Sequence, residues 1–296
     1  MEPTKSYHII ADGYKTIRIK SYNPNTPKIS STEKEFLKKF IKEQSEKSKS
    51  VGGSFYDGSL VGALIDSIKL KDKEISFDTQ QIKYSQHTGL YRNSHSSKIQ
   101  AVYVNSLVIT DDNMLVFGKT QATEHDWMNR LGIPAGGLQE SPDGSPSLGS
   151  TIYAELAEEI GIAPEHHIKK GGIIPGWISG ASKREKNYHL TVSFITSLKL
   201  SQKEMTSWFK QWKNSVENNI KSIKVEFKDL EFIPNDYNHL KKFIVEQNKM
   251  GNKSVILPKT LDVLEEWVTT YKCDIKNLGK NKGLYLPQPK LKNGTS

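Results

Sequence analysis

The stretch from Gly132 to Ile162, GIPAGGLQESPDGSPSLGSTIYAELAEEIGI, constrains this chain most. Two glycines, Gly136 and Gly137, come after a loop, and a turn-rich polar segment follows them. The sequence then switches to helical periodicity. Ile152, Leu156 and Ile160 recur every fourth residue and make one apolar stripe, which predicts a helix over residues 148–160. Gly161 suits the position just past a helix end, where a left-handed residue stops the helix. Glu155, Glu158 and Glu159 are spaced i, i+3 and i+4, so their carboxylates share a face. Clustered like charges repel one another. A hard divalent cation relieves the repulsion, and Mg²⁺ commonly takes a few carboxylates together with substrate phosphates. A solvated acidic helix face has the same three letters, so the triple does not decide alone.

The flanking segments read as mixed α and β. Residues 7–20 suggest a short strand or hairpin turning at Asp12-Gly13, and Thr32 with Glu35 suggests a capping box at the start of a helix. Residues 54–93 read as strands, then a polar joint, HTGLYRNSHSSK. AVYVNSLVIT and MLVFGKT read as an antiparallel pair turning at Asp111-Asp112-Asn113. After the glutamates come the β-rich run YHLTVSFITSLKL, a helix over Lys203–Val216, the strand VEFKDLEFIP and a helix over Leu261–Thr270. Met205, Trp208, Phe209 and Trp212 stand at helical spacing, more often a mark of core than of a ligand platform.

Taken with its setting, Gly136-Gly137, an acidic loop and Glu155-Leu156-x-Glu158-Glu159-x-Gly161-Ile162 resemble the Nudix box, G-x5-E-x7-R-E-U-x-E-E-x-G-U with U aliphatic. The resemblance covers about residues 98–270. It implies an α/β fold, an α/β/α sandwich around a mixed sheet, with a loop–helix–loop holding Mg²⁺ (Mn²⁺ being the alternative) through Glu155, Glu158 and Glu159. It implies hydrolysis of a diphosphate bond, with Gly136 and Gly137 in the binding loop and Glu159 or Glu226 as the catalytic base. Two departures stand out. Ala154 takes the place of the box arginine, and the loop is three residues longer than the pattern, so that Glu140 and Asp143 compete as its loop acid.

The region before the box also resembles the extra N-terminal domain of Nudix enzymes that hydrolyse UDP-sugars such as UDP-glucose. The expected organisation is a small α+β N-terminal domain over residues 1–95, a Nudix domain over 96–272 and a tail over 273–296. Tyr84, Tyr91, Arg92 and Trp127 are candidates for holding a nucleotide or nucleotide-sugar, each with a place in an ordinary core as its competitor. Lys183, Arg184 and Lys186 are candidates for reaching phosphates. Two other functions fit the sequence: a nucleotide sensor that has lost turnover, favoured by Ala154, and an RNA-decapping-type hydrolase, favoured by a formal net charge of +9. The lysines are widely spread, so the charge is weak support for RNA. One cysteine and no apolar run of membrane-spanning length lead to the expectation of a cytoplasmic protein without membrane contact.

Overall fold

The middle of the chain, richest in Val, Ile and Leu, forms strands that are covered on both faces. The computed structural model describes residues 8–12, 16–50, 57–71, 74–91, 98–121, 128–141, 143–180, 189–219 and 225–278. Its strands are β1 (His8–Asp12), β2 (Thr16–Asn23), β3 (Ser59–Leu64), β4 (Lys69–Lys71), β5 (Glu74–Lys83), β6 (Ile99–Ile109), β7 (Met114–Thr120), β8 (Leu131–Gly132), β9 (Ala135–Gly137), β10 (Ile168–Gly180), β11 (Leu190–Leu198) and β12 (Phe227–Pro234). Its α-helical segments are α1 (Ser31–Ser50), α2 (Tyr84–Gln86), α3 (Leu148–Ile160), α4 (Pro164–His167), α5 (Gln202–Asn219), α6 (Tyr237–Met250) and α7 (Pro258–Thr269).

The strand order is β1-β10-β11-β6-β3-β5-β2. β6 organises the sheet. Along one edge it runs parallel to β11, from Val102 beside Leu190 to Ile109 beside Ser197. A parallel pair carries helices on both faces and so reads as a nearly continuous apolar run. Its other edge takes β3, then β9, then β7, each antiparallel. This succession sets Gly136 and Gly137 beside Val104 and Tyr103. β12 adds to β7, with Pro234 opposite Met114.

Alternation along β6 and β11 divides the core in two. Val104, Val108 and Val192 pack against Leu156 and Ile160 of α3 and Phe209 of α5. Leu107, Ile109 and Ile195 face Leu240 of α6 and Leu264 and Trp267 of α7. Each fully buried Leu or Ile here contributes about 1.5–3 kcal/mol. The result is a mixed α/β fold with helices on both faces of a mixed sheet, as the fold class read from the sequence requires.

Several local expectations change. The first two strands form no hairpin: β1 pairs with β10 and β2 lies parallel to β5, at opposite ends of the strand order. Four Cα steps from Asp12 to Thr16 span at most about 15 Å, so the sheet curls until its ends approach. The cap of α1 is Ser30 with Glu33 rather than Thr32 with Glu35, Glu33 accepting from the Ser30 amide at 2.7 Å. Part of the expected polar joint is helical: a π-type turn over His87–Tyr91 follows α2 directly. The division proposed near residue 95 falls outside the described residues. Sheet pairing links its two sides, because β3 joins β6, and Ala63, Ile75 and Phe77 share a core with α3.

Candidate active site

Helix α3 is fixed at both ends by groups visible in the sequence. Ser147 Oγ accepts the Ser150 amide at 3.2 Å. At the other end Gly161 adopts φ 71°, and the Ile162 amide bonds back to the Leu156 carbonyl at 3.0 Å. A side chain at Gly161 would also strike Trp212, its Cβ 2.5 Å from the ring. The Trp208 indole donates to the Gly161 carbonyl at 2.6 Å. The aromatic stripe of α5 therefore serves partly as core, with Met205 and Phe209 buried, and partly as a clamp on the end of α3.

The three glutamates of α3 do not share one environment. Glu155 and Glu159 are buried, at 8% and 5% exposure, whereas Glu158 is exposed. Burial, then Glu158 and Glu226, raises Glu155 to about 7. Burial, then Glu226 and Glu155, holds Glu159 well above the usual carboxylate range, against the Ala135 amide that donates to its Oε2 at 3.1 Å. A hydrogen bond with Glu226 adds to the upward shift of Glu159. Glu226 itself is exposed between buried Val225 and Phe227, and its carbonyl accepts the Gln121 amide at 3.0 Å.

Gly136 makes room for this cluster. A Cβ there would lie 1.7 Å from Glu155 Oε1, so glycine lets the carboxylate rest against β9. Gly137 is held open for a different reason, since a Cβ there would meet Leu60 of β3 at 2.7 Å.

A cavity of about 180 Å³ opens beside the carboxylates. Gly136, Glu159 and Glu226 line one part of it, and Tyr103, Asn105, His189, Lys259 and Asp262 line the rest among other residues. Lys259 Nζ stands 5.1 Å from the Tyr103 ring centre, and His189 meets that ring edge-on at 5.3 Å. None of these five was selected from the sequence. Their signal was present in two places only: Tyr103 and Asn105 interrupt an apolar strand, and Lys259 follows the proline that opens α7.

Other sequence candidates lie elsewhere. Tyr91 is half-buried near Glu33 of α1 and is not among the described cavity-lining residues; burial raises its hydroxyl. Arg92, Trp127, Lys183, Arg184 and Lys186 lie outside the described residues. Of the competing loop acids, Asp143 accepts from Ser145 within its own turn, at 2.9 and 2.7 Å, and Glu140 accepts the Tyr22 hydroxyl. Arg130 donates to the Asn252 carbonyl at 2.8 Å.

As placed, no three His, Cys, Asp or Glu side chains among the described residues stand together tightly enough to hold a metal ion. The donor chemistry nevertheless fits one. Glu155, Glu159 and Glu226 offer only hard oxygens, and no cation is among the groups that shift Glu155 or Glu159.

No family model matches the chain, and no curated protein matches it. Among solved structures, a bifunctional NMN adenylyltransferase/ADP ribose pyrophosphatase from Francisella tularensis, complexed with AMP and a Mn ion, is 13% identical with a TM-score of 0.34. The match covers 59% of this chain and 42% of that one. A NUDIX hydrolase from Nitrosomonas europaea is 12% identical with a TM-score of 0.32, over 57% of this chain and 88% of its own. The candidate Nudix hydrolase Tm1382 is 10% identical with a TM-score of 0.43, over 71% and 98%. Among the described residues no helix is long and apolar enough to cross a membrane.

Proposed function

We propose that this chain is a Nudix-type hydrolase that cleaves a diphosphate bond in a nucleoside diphosphate derivative, with a divalent cation at Glu155, Glu159 and Glu226. The observation that supports this best is the burial of two mutually repelling glutamates beside a cavity, joined by a third carboxylate from a different element. Such an arrangement costs stability unless a positive group enters it. Mg²⁺ or Mn²⁺, when bound, would neutralise phosphate oxygens and lower the pKa of a water. The chain's own groups have separate tasks. The Ala135 amide orients Glu159, Gly136 leaves space for Glu155, and Glu226, on the solvent side, can accept a proton from an approaching water. Lys259 and His189, in the same cavity, can donate to phosphate oxygens. Glu158, on the same helix but exposed, adds negative charge beside Glu155 and remains a candidate ligand.

A UDP-sugar such as UDP-glucose is the finer substrate proposal, with residues 1–95 as a cap over the Nudix core. A sensor without turnover is the second reading, because Ala154 removes the cation that the box pattern sets beside these glutamates. Both are decided by one experiment. The full chain is incubated with Mg²⁺ or Mn²⁺ and UDP-glucose, ADP-ribose, nucleoside triphosphates or capped RNA, and products are identified by mass. We expect cleavage between the two phosphorus atoms of at least one nucleoside diphosphate derivative. Nucleotide binding without cleavage anywhere in the panel would favour the sensor, and neither binding nor cleavage would sink both.

A further inference from the structure

Helix α7 enters the cavity by its N-terminal end, and the proposed hydrolysis uses only one of the side chains it brings there. Leu257, Lys259, Thr260, Asp262 and Val263 all line the cavity. The N-cap is Leu257, which has no side-chain oxygen to cap the helix, and Pro258 follows it. The first helical bond runs from the Leu261 amide to the Leu257 carbonyl at 2.9 Å. The amides of Lys259 and Thr260 lie ahead of it, at the positive end of the helix. A phosphate group suits such an end. One turn further on stands a group of opposite character. Asp262 is 5% exposed, and an ionised carboxylate accepts hydrogen bonds without donating any.

A helix end alone names no ligand. A second mark lies on the strand below it. Asn105 of β6 lines the same cavity and is 7% exposed, and its carboxamide oxygen has no hydrogen-bond partner among the described residues. Buried acceptors are rarely left without a donor. Helix and strand run alongside each other here. Lys259 Nζ stands over the Tyr103 ring, whereas Leu264 and Trp267 share a core with Leu107 and Ile109. Asp262, between them on the helix, is therefore level with Asn105, between them on the strand. The cavity thus offers a cation and a helix N-terminus at one level and two buried acceptors at the next. The two levels are about 4.5 Å apart, the rise of three helical residues.

We infer that α7 binds the ribose 5-phosphate unit of the substrate: Lys259 and the start of the helix take the phosphate, and Asp262 with Asn105 takes the vicinal hydroxyls of the ribose. The inference rests on the diphosphate reading of the same cavity, because it makes this phosphate the one that carries the nucleoside. Sugar hydroxyls are the donors such a ligand holds closest to its phosphates; those of the base lie a whole sugar further away. Two neighbouring hydroxyls can donate to the two oxygens of one carboxylate. A carboxylate has about four acceptor positions, so contacts within the protein leave room for them. The consequence is selection for ribonucleotides. A 2′-deoxyribose brings one hydroxyl fewer and leaves a buried acceptor without that donor, at the cost of desolvating it.

The test uses nucleoside monophosphates, which carry no diphosphate, and compares each with its 2′-deoxy form. Calorimetric titrations of the full chain without metal use AMP, UMP, 2′-deoxy-AMP and 2′-deoxy-UMP. In both pairs the ribose form should bind about tenfold more tightly, the worth of one hydrogen bond to a charged group. Asp262→Asn should bring that ratio to within about twofold, since an amide offers one acceptor oxygen in place of two. The ratio is the readout because it cancels the change in overall charge. Asp262→Glu keeps the charge but displaces the carboxylate, and as the second variant it should lower the ratio as well. Lys259→Gln should weaken all four ligands alike and leave the ratio as it was. A ratio near one in the wild type, or one unchanged in a folded Asp262 variant, would overturn the inference, as would failure of all four ligands to bind. Pyrophosphate with Mg²⁺ tests the diphosphate reading separately. Its binding to a chain that does not tell ribose from deoxyribose overturns the inference and leaves that reading standing. Its failure to bind beside an intact ribose preference sinks that reading and supports a ribonucleotide site.

Discussion

Helices α1 and α3 both carry several glutamates, yet only one of them hides any. In α1, twenty residues long, Leu37 is the single buried residue, and Glu33 is partly exposed and held below the usual carboxylate range by the backbone and hydroxyl of Ser30. In α3, thirteen residues long, seven residues are buried, and Glu155 and Glu159 are among them with their pKa values raised. Water solvates the charges of α1 and the cap lowers the energy of one of them. In α3 the fold removes water and supplies neighbouring carboxylates instead. A buried charge that lacks a counter-charge is the stronger sign of function, because packing alone gains nothing from it.

Mutations should separate the two helices widely. Leu156→Ala, at a fully buried position, should destabilise the chain by about 2–5 kcal/mol in urea unfolding. Phe36→Ala on α1, with Phe36 48% exposed, should stay within about 1 kcal/mol. Equal effects would mean that α1 is packed as tightly as α3.

The next effect is on turnover. On the proposed function, Glu159→Gln should lower diphosphate hydrolysis by about 100-fold, which is about 2.7 kcal/mol of barrier. The folded state should survive, since the amide keeps the shape of the carboxyl and removes a charge that burial disfavours. Glu43→Gln, on the exposed side of α1, should leave turnover within twofold. Full activity in Glu159→Gln would remove that residue from the site.

The smallest effect is on stability against pH, and the two helices should differ in sign. Glu155 binds its proton more tightly folded than unfolded, so without metal its contribution is greatest below about 4.5 and is lost as pH rises towards about 7. Glu33 runs the other way: its contribution is present above the ordinary Glu range and fades as pH falls through its lowered value. Thermal melts of the metal-free chain should therefore fall between pH 4.5 and 7, and Glu155→Gln should flatten that fall. Added Mg²⁺ should also reduce it. A slope unchanged by Glu155→Gln would show that the glutamate is not held as described.

Much of the molecule is local and could be read as such. Apolar spacing and Gly161 placed α3 at residues 148–160, where it is found, because a cap and a 3.6-residue period act within a few turns. The turn at Asp111-Asp112-Asn113, and the strand and helix after the β-rich run, followed from equally short-range signals. Helix α6 was missed although Asp236 caps it and Leu240 and Ile244 are four residues apart, so its signal lay in the sequence unused. The spacing of Glu155, Glu158 and Glu159 was legible as well, but not which of them is buried. That depends on how α3 rotates against the sheet and on Gly136 lying beneath Glu155. The meeting of Glu159 with Glu226, and of Tyr103 and Asn105 with His189 and Lys259, joins residues separated by tens to more than a hundred positions. Only strand register brings them together, and register is fixed by pairing across the whole sheet. Residue type and local period thus determined the helix that carries the carboxylates, and the order of strands around β6 decided what they face.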